Sequence, residues 1–284
     1  MIRLLILFVV AIGLTDPAIA AGEGEARRAA ALADIRAMVE GAAGDTALVV
    51  AVTDRDRTLM VASHGYADID RRIAATQDTR FAIGSISKSF AAVALMQMAD
   101  EGTFDPDAPI ARYVPEFRSK SRHAPITGHA LLSHSSGLPN YLAYVASMRF
   151  LATALQDFEP CSAPGEHFWY SNSGYQLLGY AAEAIDRRPF PLVLQRRILD
   201  PLGMAATAPQ IDERLRGRIA NSYERTADGR LAAAPWFDHV AADGAIVSTA
   251  PDMMAYARML LARGKTTKGR MLSEHSFARI MTPV

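Results

Sequence analysis

Two side chains three residues apart open the chemical reading: Ser85 and Lys88, in the run Phe81-Ala82-Ile83-Gly84-Ser85-Ile86-Ser87-Lys88. Apolar, helix-compatible residues follow, so the pair falls at a helix start, where positions i and i+3 share one face. A serine hydroxyl is a weak nucleophile and needs an adjacent base. A lysine amine does that work when burial or another cation favours its neutral form. The first helical turn adds free N–H groups and partial positive charge, which suit an oxyanion. Taken alone, a capping serine and a surface lysine would look the same, since both residues are common.

A second group lies well downstream, in Pro164-Gly165-Glu166-His167-Phe168-Trp169-Tyr170-Ser171-Asn172-Ser173-Gly174-Tyr175. Tyr170 and Asn172, two apart on an irregular segment, point the same way. A phenol relays a proton when cations surround it, and an amide can hydrogen-bond both a lysine and a substrate carbonyl. The plainer alternative is a buried tyrosine followed by an asparagine that caps the next helix. Glu166 follows a Pro-Gly turn and is expected at the surface rather than as a base. Asn140 and Tyr141, after Ser136-Gly137-Leu138-Pro139, are candidates to line a cleft.

Other reactive types fit less well. Cys161 is the only cysteine and sits in a loop with no evident base, so an unreactive thiol is expected. His129 and His134 are five apart, about 140° around a helix, and no H-E-x-x-H or G-x-S-x-G occurs, which argues against a zinc pair or a Ser-His-Asp elbow. They are read as structural. No metal and no cofactor are expected.

The elements that must position these groups follow from periodicity. Glu23 to Gly41 reads as a helix, and Ala47 to Thr53 with Thr58 to Ser63 as a hairpin across a polar turn. Helices are expected over Ser87 to Ala99, Ser173 to Asp186, Phe190 to Leu199 and from Thr249-Ala250-Pro251-Asp252 to about Ala262, with Thr249 as cap. Ile211 to Trp236 is polar and reads as irregular. The order fits an α/β domain of the α+β type with a helical domain, at about 105–245, inserted in it.

With both groups in place, the chain resembles the serine β-lactamase and penicillin-binding-protein superfamily: class C β-lactamases, D-alanyl-D-alanine carboxypeptidases and related serine esterases. Supporting phrases are Gly65-Tyr66-Ala67-Asp68, Leu131-Leu132-Ser133-His134-Ser135-Ser136-Gly137-Leu138, Pro201-Leu202-Gly203-Met204 and Gly244-Ala245-Ile246-Val247-Ser248-Thr249-Ala250. The resemblance implies an antiparallel sheet flanked by helices. It implies Ser85 as the nucleophile that forms an acyl-enzyme, Lys88 and Tyr170 as its proton-handling partners, and Asn172 orienting Lys88 and the substrate amide. Its substrates would be a β-lactam, a D-alanyl peptide or a small ester.

The superfamily's third motif, K-T-G or H-x-G on a late strand, has no counterpart. Lys265-Thr266-Thr267-Lys268-Gly269 reads K-T-T and falls in a connector between helices. The C-terminal strands are therefore expected to be missing from this chain, as in a fragment, a truncated product or a chain needing a complementing segment. A contrasting expectation is a non-catalytic or impaired envelope protein that keeps the cleft.

Composition bounds the rest. Half of the 284 residues are apolar, and 30 basic residues balance 30 acidic ones with no basic stripe, so no nucleic-acid partner is expected. Residues 1–20 read as a signal peptide: Arg3, an apolar run from Leu4 to Ile12 too short to span a bilayer, and Ala18-Ile19-Ala20 as cleavage site. The mature domain, 21–284, is expected to be exported to the periplasm or medium, with no membrane span after signal removal.

Overall fold

The computed structural model describes residues 21–119, 122–140, 147–155 and 158–283, with side chains from residue 24. The expected signal segment and Tyr141 lie outside the described residues.

The chain opens with helix α1 (Ala21–Glu40) and the antiparallel hairpin β1 (Leu48–Thr53) and β2 (Thr58–His64). Two short ladder strands, β3 (Tyr66–Asp68) and β4 (Ile73–Ala74), lead to β5 (Phe81–Ala82). A tight 3-10 turn (Gly84–Ile86) then runs straight into α2 (Ser87–Asp100). Gly84 has φ 53°, in the left-handed region that disfavours a Cβ, and this lets the chain turn from strand into helix just before Ser85.

Short helices α3 (Gly128–Leu132) and α4 (Met148–Ala154) precede the long α5 (Asn172–Asp186). Helix α6 (Phe190–Leu194) continues through a π turn (Gln195–Leu199) into α7 (Asp200–Leu202), so the expected single helix has a wider turn in its middle. The segment expected to be irregular holds a hairpin, β6 (Tyr223–Arg225) and β7 (Leu231–Ala233). After β8 (Val247–Ser248) come α8 (Ala250–Leu261), a small hairpin of β9 (Lys265–Thr266) and β10 (Gly269–Arg270), and α9 (Glu274–Met281). Thr249 caps α8 as expected, and the Lys265–Gly269 run is indeed a connector between helices.

Helix α2 is the axis of the core. Phe90, Ala91, Val93, Ala94, Leu95 and Met98 are all buried, so it is apolar on nearly every side. Helices α5, α6, α8 and α9 contribute to the same continuous core. Phe90 stacks on Tyr256 of α8 at 3.9 Å between centroids, and the Tyr256 hydroxyl donates to Ser89. Helices α1 and α8 pack on the β1–β2 hairpin.

Two long-range contacts set the position of the turn that carries Ser85. Strand β5 pairs antiparallel with β8, Phe81 opposite Ser248 and Ala82 opposite Val247, and Ile83 N–H donates to Ile246 C=O. That ladder brings residues 243–248 alongside the turn. Gly179 of α5 then fixes the depth of approach: a Cβ there would lie 2.6 Å from the Cβ of Ala242.

Candidate active site

Ser85 is exposed on the 3-10 turn, while Lys88, one turn later in α2, is only 5% exposed. The spacing puts both on one face, and Lys88 Nζ donates to Ser85 Oγ at 3.1 Å. The ammonium donates twice more, to Asn172 Oδ1 at 2.7 Å and to the backbone carbonyl of Asp243 at 2.6 Å. A buried cation would otherwise be costly; here all three of its N–H bonds have acceptors. Its charge also lies 4.9 Å from the ring centre of Tyr170 and 5.6 Å from that of Tyr175, a cation–π placement.

Tyr170 donates its hydroxyl to Ser85 Oγ at 2.6 Å. The structure therefore gathers all four residues singled out by spacing: Ser85 Oγ accepts from both Lys88 and Tyr170, and Asn172 holds Lys88 from behind. Asn172 does not cap α5. Ser171 does, accepting from Gly174 N–H at 3.0 Å and donating to Pro139 C=O, so the Asn172 amide is left available for the amine. Asn140 supports this segment by accepting from Asn172 N–H at 3.0 Å. Glu166 is exposed and accepts from Ala163 N–H within its own turn, as a surface residue would. Cys161 is exposed and free.

Two neighbours carried no motif. His134 has φ 57°, uncommon for a residue with a Cβ. Its carbonyl accepts from Trp169 N–H at 2.7 Å and its Nδ1 from Ser171 N–H at 3.1 Å, while its ring stacks on Tyr170 at 4.5 Å. The histidine thus clamps the backbone on both sides of Tyr170. Burial first, then the charge of Lys88, pushes its pKa from the ordinary 6.5 down to about 4. A neutral ring is what its acceptor role at Nδ1 requires. Burial and the neighbouring Tyr170 phenol hold the Tyr175 phenol well above its usual range, and Tyr175 donates to Leu132 C=O.

The other neighbour is Asp243, whose contribution to Lys88 is a backbone carbonyl. Its side chain is buried, with Oδ1 3.4 Å from His239 Nε2 but not aligned as a hydrogen bond. A backbone carbonyl leaves no mark of residue type, so the only sequence signal was the phrase that starts at Gly244.

The sequence and the fold have counterparts among known proteins. Residues 28–282 match the family described as Beta-lactamase. The chain belongs to the Beta-lactamase family. Among curated relatives, it is 25% identical over 198 residues to "Protein flp" of Staphylococcus aureus, covering 66% of this chain and 40% of that protein. It thus spans about two-fifths of the length of that relative. Among solved structures, the octameric penicillin-binding protein homologue from Pyrococcus abyssi aligns with a TM-score of 0.74 at 25% identity, over 90% of this chain and 59% of that one. D-amino acid amidase from Ochrobactrum anthropi, solved with D-phenylalanine, aligns with a TM-score of 0.73 at 26% identity, over 87% of this chain and 74% of that one. The mixed helix and sheet architecture expected from the sequence is the β-lactamase-like fold of these neighbours. Among the described residues no helix is long and apolar enough to cross a membrane.

Proposed function

We propose that this chain is a serine hydrolase that works through an acyl-enzyme on Ser85, with an amide or ester as substrate. One observation carries the reading: an exposed hydroxyl lies within hydrogen-bonding distance of both a buried amine and a phenol. Asn172 and the Asp243 carbonyl, at 2.7 and 2.6 Å, each hold one N–H of Lys88. The remaining tetrahedral position faces Ser85, and the amine presents its lone pair there once it has released its third proton to solvent. In this reading Ser85 Oγ attacks the carbonyl carbon and its proton passes to Lys88. The C–N or C–O bond then breaks, and the leaving group takes the Tyr170 proton. Lys88 returns its extra proton to the phenol, and water repeats the sequence to release the acid. The Ser85 N–H, at the start of the helical turn, supplies an oxyanion donor.

The rim supports an apolar acyl portion. Phe168 and Trp169, 70% and 49% exposed, immediately precede Tyr170, and exposed Phe237 and Val240 sit in the segment that leads to Asp243. Large apolar residues left in water on the segments that carry Tyr170 and lead to Asp243 suit a ligand that covers them. β-Lactams, D-alanyl peptides and small aryl or alkyl esters all meet that description, and the amidase relative, solved with D-phenylalanine, is in keeping with it.

The test is covalent labelling. The purified chain is incubated with a fluorophosphonate and, separately, a fluorescent penicillin, and the adduct is located by peptide mass. A label on Ser85 that is absent from Ser85→Ala is the expected result. A chain that binds penicillin reversibly with no adduct on Ser85 would instead be a ligand-binding relative, and the hydrolase reading would fail.

A further inference from the structure

The basic run through the β9–β10 hairpin has no part in acyl transfer at Ser85. Two adjoining cavities of about 600 and about 700 Å3 open along this hairpin, and both are lined by Pro201, Thr266, Lys268 and Arg270. Neither is lined by Ser85, Lys88, Tyr170 or Asn172. Eight basic and four acidic side chains face these cavities, in a chain whose basic and acidic residues are equal in number overall.

The pairing is more lopsided than the count. Three of the four carboxylates face an arginine, Asp56 with Arg55, Glu101 with Arg197 and Glu274 with Arg270, while Asp100, on the smaller cavity, accepts from Ser273 and Ser276 and keeps its charge. Arg196, Arg258, Arg263, Lys265 and Lys268 have no carboxylate partner among the described residues. Arg258 donates to Thr58 Oγ1 and Arg263 lies over the Phe277 ring, both compatible with an unneutralised charge. Arg196, Lys265 and Lys268 are exposed. Arg196 comes from the π turn, Arg258 from α8, Arg263 from the link that follows it, and Lys265 and Lys268 from the hairpin.

We propose that this cleft binds a ligand carrying two or more phosphate groups. A single phosphate brings at most about two negative charges, too few for Arg258, Arg263, Lys265 and Lys268, the four that line the larger cavity. Two or three phosphates in the larger cavity, of about 700 Å3, match that charge and leave the Thr267 hydroxyl beside the oxygens. No aromatic side chain lines either cavity, so stacked nucleobases are not what it receives. Leu202, Met259 and Leu261 form an apolar part of the larger cavity, which suits phosphates attached to a lipid as well as a soluble oligophosphate.

Two arms separate those sources: calorimetric titration with inorganic tripolyphosphate, and co-sedimentation with vesicles containing cardiolipin, a lipid with two phosphates, against phosphatidylcholine vesicles. Each is run on the wild-type chain and on K265Q/K268Q, whose positions are exposed and whose fold is checked by thermal melting. Binding in at least one arm is expected. It should weaken with added salt and by about fivefold for each cation removed. Tripolyphosphate binding alone identifies a soluble phosphate ligand, and binding to anionic vesicles alone identifies lipid headgroups. Binding in neither arm, or binding that K265Q/K268Q leaves unchanged, overturns the proposal.

Discussion

At Ser85 two donors meet one oxygen, and the behaviour of the site turns on which of them first gives up a proton. If Lys88 is the acceptor of the serine proton, Lys88→Ala should slow fluorophosphonate labelling of Ser85 by about 10²–10⁴-fold, the usual worth of a positioned base. Asn172→Ala removes one of the two acceptors that aim the amine, so it should slow labelling too, by less. Stopped-flow labelling rates on the three proteins check both outcomes. His134 supplies a pH prediction. Its pKa is depressed in the folded chain to about 4 and returns to about 6.5 on unfolding. Between those values the unfolded chain binds the extra proton, so stability falls as pH drops from about 6.5 to about 4 and levels off below. Urea midpoints at steps across that window should decline more steeply for wild type than for His134→Gln, and equal slopes would refute the assignment. The four motif residues were legible because side-chain type and local spacing define them. His134 was visible as a residue but not as a clamp, since a positive φ and a ring stacked on a tyrosine 36 positions away are facts of three dimensions. The Asp243 carbonyl was invisible for a simpler reason: every residue has one.

Among the elements, α5 does the most positioning, through its cap and the close approach of Gly179 to Ala242 and Met148. Ser171 is buried and serves both Gly174 N–H and Pro139 C=O, so Ser171→Ala should cost about 1–2 kcal/mol. Thr249 caps α8 at a long 3.5 Å, and Thr249→Ala should cost less; urea denaturation of the two variants tests the order. Gly179→Ala sets two effects against each other. Alanine favours a helix interior by up to about 1 kcal/mol, but its methyl would lie 2.6 Å from Ala242 Cβ, which has no flexible end to swing away. Overpacking of that kind costs about 1–3 kcal/mol, so the variant should be destabilised, and labelling should slow as the Asp243 carbonyl is displaced. The main helices and the first hairpin could be read from apolar periodicity because each buries one broad face. The β6–β7 hairpin escaped because its residues are polar or small; the Asp228-Gly229 pair at its turn, with Gly229 at φ 83°, was the signal to follow. Strands as short as β5 and β8 carry no period at all, and only their pairing defines them.

Taken whole, the molecule has one principal core, running without a break from Ile83, two residues before Ser85, to Phe277 in α9. The helices between α2 and α8 should therefore unfold together with both. Far-UV and near-UV circular dichroism are expected to trace coincident urea transitions; two separated midpoints would show that the core is divided. The closest acceptor of Lys88 lies 155 residues further along the chain. A polypeptide leaving the ribosome N-terminus first releases α2 long before residue 243 emerges. Throughout that interval Lys88 lacks the carbonyl that holds it, so the four-residue arrangement is complete only once that distant segment has been made and docked.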